Sequence, residues 1–198
     1  MKAKPLELRP TQFAVGMREV AWKTDKLKGL KDKELREFLH ERPVPVVEWG
    51  KALYILDHHH LVCACWEAGV DEVPLERKAD FSHLGAAKFW EEMRRLGWSH
   101  LYDQFGKGPH EPRLLPADVR GLADDPYRSL AWALRRAGGY DKSGTLFSDF
   151  KWAEFLRSRV ILEPGDASFE AGLKKALSLA HTPDAARLPG FAKAAAKS

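Results

Sequence analysis

The rhythm of apolar and polar positions changes halfway along the chain. In the first half, short apolar runs alternate with mixed-charge stretches. Val44 to Trp49 and Ala52 to Leu56 flank Gly50-Lys51, which predicts two buried strands joined by a tight hairpin. Leu61 to Ala68 is apolar and closed by Gly69, the pattern of a buried helix. Glu72 to Arg77 resembles another strand. Leu6-Glu7-Leu8 is a short strand candidate that runs into the turn residues Arg9-Pro10-Thr11. Phe13 to Lys28 and Asp32 to His40 carry helical character, with Leu35, Phe38 and Leu39 on one side of the second.

The second half reads as almost entirely helical. Ala86, Phe89, Trp90, Met93 and Leu96 keep the spacing of one apolar helix stripe, and so do Tyr127, Leu130, Ala131, Leu134 and Ala137. Phe147 to Arg157 is a third helix, and Phe169, Leu173, Ala176, Leu177 and Ala180 mark a fourth. Tyr102 to Pro116, between the first two of these helices, is turn-rich. The expected fold is therefore α+β: a small mixed-sheet core over residues 1–82, then a mainly helical extension over 83–181 packed on it. Residues 182–198, rich in Ala and Lys, are expected to form a flexible tail.

Composition narrows the class only a little. At 198 residues the chain suits one ordinary domain with an extension, and 44% apolar content with seven Trp and ten Phe argues against disorder. The net charge of +4 comes from interspersed acids and bases, which permits nucleic acid as a partner without requiring it. Cys63 and Cys65 diverge by about 200° on a helix, so they read as small core residues and not as a disulfide or metal pair. Neither a signal peptide nor a long apolar segment is visible, so a cytoplasmic protein with no membrane partner is expected. The oligomeric state stays open.

The chemistry concentrates at Asp57-His58-His59-His60, where the predicted strand ends and the predicted helix begins. Eight histidines occur in the chain and three of them are here. Asp57 reads as the helix N-cap. The three histidines would then be the first helical residues, pointing about 100° apart, so they cannot share one metal; no metal-ligand set is assigned. A helix N-terminus flanked by imidazoles suits an anion, with acid–base help at neutral pH. Asp125 and Pro126 read as a cap and first helical position, which leaves Arg128 off the Tyr127/Leu130/Leu134 stripe. The Phe147, Phe150, Trp152 and Phe155 cluster reads as helix core. No Gly-rich phosphate loop, nucleophile elbow or paired CxxC appears.

Pro43-Val44-Pro45-Val46-Val47, then Leu53-Tyr54-Ile55-Leu56-Asp57-His58-His59-His60, then Glu67-Ala68-Gly69-Val70-Asp71-Glu72-Val73-Pro74 resemble the core of the ParB/sulfiredoxin superfamily. That core has a strand, an Asp-Gly-His-His-Arg-like turn, an apolar helix ending in Ala-Gly, and a strand beginning Val-Pro. Leu6 to Gln12 resembles its opening strand and loop. The stretch Asp125-Pro126-Tyr127-Arg128-Ser129-Leu130 is similar to a motif of the ParB-like nuclease branch. The resemblance covers about residues 5–80 for the superfamily and extends to about 160 for the branch.

This resemblance implies a nucleotide or phosphate site at the strand–helix turn, with ATP, CTP or ADP and Mg as cofactors. Asp57, His59 and His60 would be catalytic in phosphoryl transfer or phosphohydrolysis, and His58, His59, His60 and Arg128 would hold the ligand. His58 stands at the motif's Gly, and Leu61 at its Arg, the main charged phosphate ligand. Arg128, off the apolar stripe at the start of a helix, is expected on that ground, and not from the resemblance, to take the missing role. The sulfiredoxin cysteine would fall at His59, which excludes that activity. A metal-dependent nuclease and a non-catalytic DNA-associated module are the alternatives. No helix-turn-helix is evident after residue 80.

Overall fold

Val44–Trp49 and Ala52–Ile55 pair antiparallel around Gly50, whose φ of 62° suits glycine. The computed structural model describes residues 1–145 and 147–192, and its contacts divide the chain into Met1–Asp124 and Asp125–Ser198.

The first unit begins with β1 (Lys2–Ala3), β2 (Leu8–Arg9), β3 (Ala14–Val15), α1 (Met17–Lys28) and α2 (Asp32–His40). It continues through β4 (Val44–Trp49), β5 (Ala52–Ile55), α3 (His59–Glu67), β6 (Val73–Asp80), α4 (Ala86–Arg95) and β7 (Ala123–Asp124). Five strands form a mixed sheet in the order β1-β6-β4-β5-β2, with β4–β6 and β5–β2 parallel and the other pairs antiparallel. β3 pairs with β7 in a separate parallel ribbon.

Both faces of the central strands are buried, which explains why β4 reads as a continuous apolar run. Val44, Val46 and Ile55 join Val20 and Leu27 of α1 and Leu61 to Cys65 of α3 in one core. Val47 and Tyr54 point the other way and meet Phe89 and Met93 of α4. The expected boundary after residue 82 thus differs from the division after Asp124. The reason is that α4 buries its apolar stripe on the second sheet face.

The second unit contains α5 (Pro126–Arg136), α6 (Ser148–Arg157) and α7 (Asp166–Ala180). Their core is built on Leu130, Leu134, Tyr140, Trp152 and Leu156. Asp125 caps α5 by accepting from the N–H groups of Tyr127 and Arg128, and it pairs with Arg157 at 2.7 Å. Gly139 approaches so closely that a Cβ there would lie 2.2 Å from Leu134 Cδ1. Of the expected tail, Pro183–Ala185 forms a 3-10 turn with Ala185 buried, and Trp152 Nε1 donates to the Pro189 carbonyl at 2.8 Å. Residues 193–198 of that tail lie outside the described residues.

Several expected boundaries move. The helix expected from Phe13 starts at Met17, because Ala14–Val15 is drawn into pairing with β7. Leu6-Glu7 belongs to a 3-10 turn at Pro5–Glu7 that precedes β2. Phe147, expected as helical, caps α6 with a φ of 58°. Among the described residues, no helix is long and apolar enough to cross a membrane.

Phe89 is fully buried, stacked 4.5 Å from Trp49, with its ring centroid 5.2 Å from that of Tyr54. Phe89→Ala is expected to cost about 3–5 kcal/mol in urea denaturation, since it empties the centre of the second sheet face.

Candidate functional site

After β5 ends at Ile55, Leu56 and Asp57 turn the chain away from the sheet. His58 takes φ 70° and ψ 20° and caps α3, so the helix begins at His59. The sequence places Asp57 at the cap, and the structure corrects this by one residue. Asp57 Oδ1 accepts from the His58 N–H at 2.6 Å, so the carboxylate serves the residue that does cap the helix. Left-handed backbone is natural for glycine and costs other residues about 1–2 kcal/mol. His58 therefore occupies a glycine conformation, at the position where the family motif has its Gly.

His59 is buried, and its Nε2 accepts from the Thr11 backbone N–H at 3.1 Å. The Thr11 hydroxyl donates to the Ile55 carbonyl at 2.6 Å, so its proton is directed away from the imidazole. A backbone amide can only donate; Nε2 therefore carries the lone pair and the ring proton sits on Nδ1. His60 repeats the arrangement, its Nε2 accepting from the Gly16 N–H at 2.9 Å. Glu19 Oε2 lies 3.5 Å from the same nitrogen and would favour a protonated ring. The amide contact decides the matter, because it is shorter and the amide has no other protonation state. Glu19 has its own cation in Lys23, one helical turn on.

These two bonds tie the segment 11–16 to α3. They also bring two helix ends together, because Gly16 caps α1 and His60 is the second residue of α3. Each N-terminus carries roughly half a positive charge. Asp124 Oδ1 accepts from the Met17 N–H at 2.9 Å, which places a further carboxylate at the start of α1. Arg18, in the first turn of α1, is exposed, and so is Asp57.

The remaining candidates are placed differently. Leu61, at the motif's Arg position, is 4% exposed and belongs to the core beneath α3. An arginine there would bury its charge among apolar side chains, so Leu61 is a packing residue. Arg128 lies on α5 in the second unit, buried, with its guanidinium carbon 3.5 Å from the Phe150 ring centroid. The structure thus joins Asp57, His58, His59 and His60 in one turn, and Arg128 belongs to a different helix. Among the described residues, no group of three or more His, Cys, Asp or Glu is arranged to hold a metal ion. Cys63 and Cys65 are buried, and burial pushes both thiols up to about 12.

Thr11, Gly16 and Arg18 escape the sequence reading. The one available signal was Gly16 interrupting an otherwise continuous apolar run before Met17, a helix-start pattern whose long-range partner no spacing rule supplies.

Two stability outcomes follow from the turn. His58→Gly is expected to stabilise the protein by about 0.5–1 kcal/mol in thermal or urea unfolding, since it relieves the left-handed penalty less the entropy of glycine. His59→Ala is expected to cost about 1–3 kcal/mol by leaving the buried Thr11 amide without its acceptor. His59→Gln, which restores an acceptor, is expected to recover part of that loss in the same assay.

A family model described as "Putative ParB-like nuclease" matches residues 2–158. Among solved structures, the chain is similar to protein Atu1540 from Agrobacterium tumefaciens. The TM-score is 0.88 at 38% identity, and the match covers 98% of each chain. No protein of curated function matches the sequence. The family match spans well over half of the chain and includes both the Asp57–His60 turn and the Asp125–Leu130 helix start. The mixed sheet, the left-handed turn and these matches together make the chain a member of the ParB-like nuclease family.

Proposed function

We propose that this ParB-like domain binds the phosphate of a nucleotide where the N-termini of α1 and α3 meet, beside Asp57. The observation that carries the reading is the 2.9 Å bond from the Gly16 N–H to His60 Nε2. It holds two positive helix ends at one place, and such ends bind phosphate well. Arg18 supports it by adding an exposed guanidinium, a group suited to phosphate, in the first turn of α1. Arg18 then supplies the charge that Leu61 does not.

His59 and His60 keep their Nε2 atoms on backbone amides, so they position the turn. Asp57 is the exposed group of the turn able to accept a proton from water in phosphohydrolysis or phosphoryl transfer. Mg2+ takes one or two carboxylates together with substrate phosphates, and Asp57 fits that donor set. The metal would therefore arrive with ATP, CTP or ADP. A metal-dependent nuclease is the second reading, favoured by the description of the family model.

Titration calorimetry with ATP, CTP, ADP and inorganic phosphate, with and without Mg2+, tests the proposal. Saturable binding, weakened about tenfold in Arg18→Ala, is expected. Absence of heat with every one of these ligands would overturn it. Divalent-dependent plasmid cleavage that disappears in Asp57→Ala, without nucleotide binding, would put the nuclease in its place. Salt-sensitive DNA retention with neither activity would identify an interaction module.

A further inference from the structure

On the sheet face opposite α3, the first unit contains a cavity of about 540 Å3. Trp49 and Tyr54 line it from the sheet, and Trp90 and Arg94 line it from α4 one helical turn apart. Ala86 and Ala87, a turn earlier on α4, leave space that larger side chains would fill. The other wall is the segment 111–116, stiffened by Pro112 and Pro116. Arg9 lies beside Tyr54 in the β2–β5 register and completes the rim.

Two features of this cavity point to a ligand. The indole of Trp49 is held rigidly, stacked on Phe89 with the rings 6° from parallel and donating its N–H to the Leu84 carbonyl at 2.9 Å. It forms a fixed aromatic surface with no rotamer freedom left to lose on binding. The charge is also unbalanced. Arg113 pairs with Glu111, whereas Arg9 and Arg94 have no carboxylate partner among the described residues. Two arginines without a carboxylate partner thus line a space walled by aromatic rings.

We propose that this cavity binds a nucleoside monophosphate unit, the base against the aromatic rings and the phosphate between Arg9 and Arg94. Aromatic walls select a planar apolar face. Two uncompensated guanidinium groups match a phosphate monoester, which carries roughly −1.5 to −2 charges at neutral pH, better than a carboxylate with one. The volume is that of a small-molecule site. This site shares no residue with the α1–α3 junction. Its ligand can come from two sources: a free nucleotide or the 5′-phosphorylated end of a strand.

Quenching of tryptophan fluorescence in the full chain provides the test. The probes are AMP, adenosine, and short oligonucleotides with and without a 5′-phosphate. Saturable quenching by a phosphorylated probe is expected, weakened about tenfold or more in Arg94→Glu and in Arg9→Glu. Tighter binding of the 5′-phosphorylated strand than of AMP, with the same dependence on Arg94, identifies a strand end as the source; the reverse order identifies a free nucleotide. Equal binding of adenosine or of the unphosphorylated strand would overturn the proposal, as would the absence of quenching by every phosphorylated probe. Binding lost in Arg18→Ala and retained in Arg94→Glu would place the nucleotide at the helix junction and also overturn it.

Discussion

Two imidazole nitrogens hold the first unit in register. His59 Nε2 and His60 Nε2 accept backbone amides from Thr11 and Gly16, residues 48 and 44 positions earlier in the chain. Those amides belong to a loop and a helix start, where no ladder or helical carbonyl is available to them. A buried amide without an acceptor costs about 1–3 kcal/mol, so both acceptors contribute to the stability of this segment. The clamp anchors the segment that leads from β2 into α1, and it sets α1 against α3. The helix junction depends on it.

The clamp also uses two of the imidazole nitrogens that the turn offers. His59 and His60 each spend their Nε2 on an amide, and the backbone of His58 is turned left-handed before the helix begins. What the turn offers instead is a concentration of positive helix ends with carboxylates nearby: Asp57 at the turn, Asp124 on the Met17 amide, and Glu19 against Lys23. The chemistry of the junction is thus anionic balance around helix dipoles, with Asp57 on the solvent side.

The sheet separates two surfaces by the alternation of side chains along β4 and β5. Val46 and Ile55 face the α1–α3 layer, and Val47 and Tyr54 face α4. One face supports the helix junction and the other the ring-lined cavity. A one-residue slip in the hairpin register would exchange these faces and disrupt the junction and the cavity together. The second unit is a separate piece of packing, in which the Asp125 cap, its pair with Arg157 and the Trp152 core organise three helices.

The sequence alone determined the elements whose signals are local. The β4–β5 hairpin followed from apolar runs around Gly50, α2 from its stripe, α5 from Asp125-Pro126, and the buried character of Cys63 and Cys65 from their apolar helix. The location of the candidate turn was legible too, because a strand end, a helix start and three histidines coincide there. Tertiary structure alone decided what each residue does. The cap moved from Asp57 to His58 because backbone torsion, not residue preference, defines a cap. The roles of His59 and His60 were set by Thr11 and Gly16, partners far away in sequence that no periodicity encodes. Leu61 turned out to be core and Arg128 a ring-stacked residue of α5 for the same reason: burial depends on which surfaces meet, and a single chain's spacing records only the surfaces it repeats.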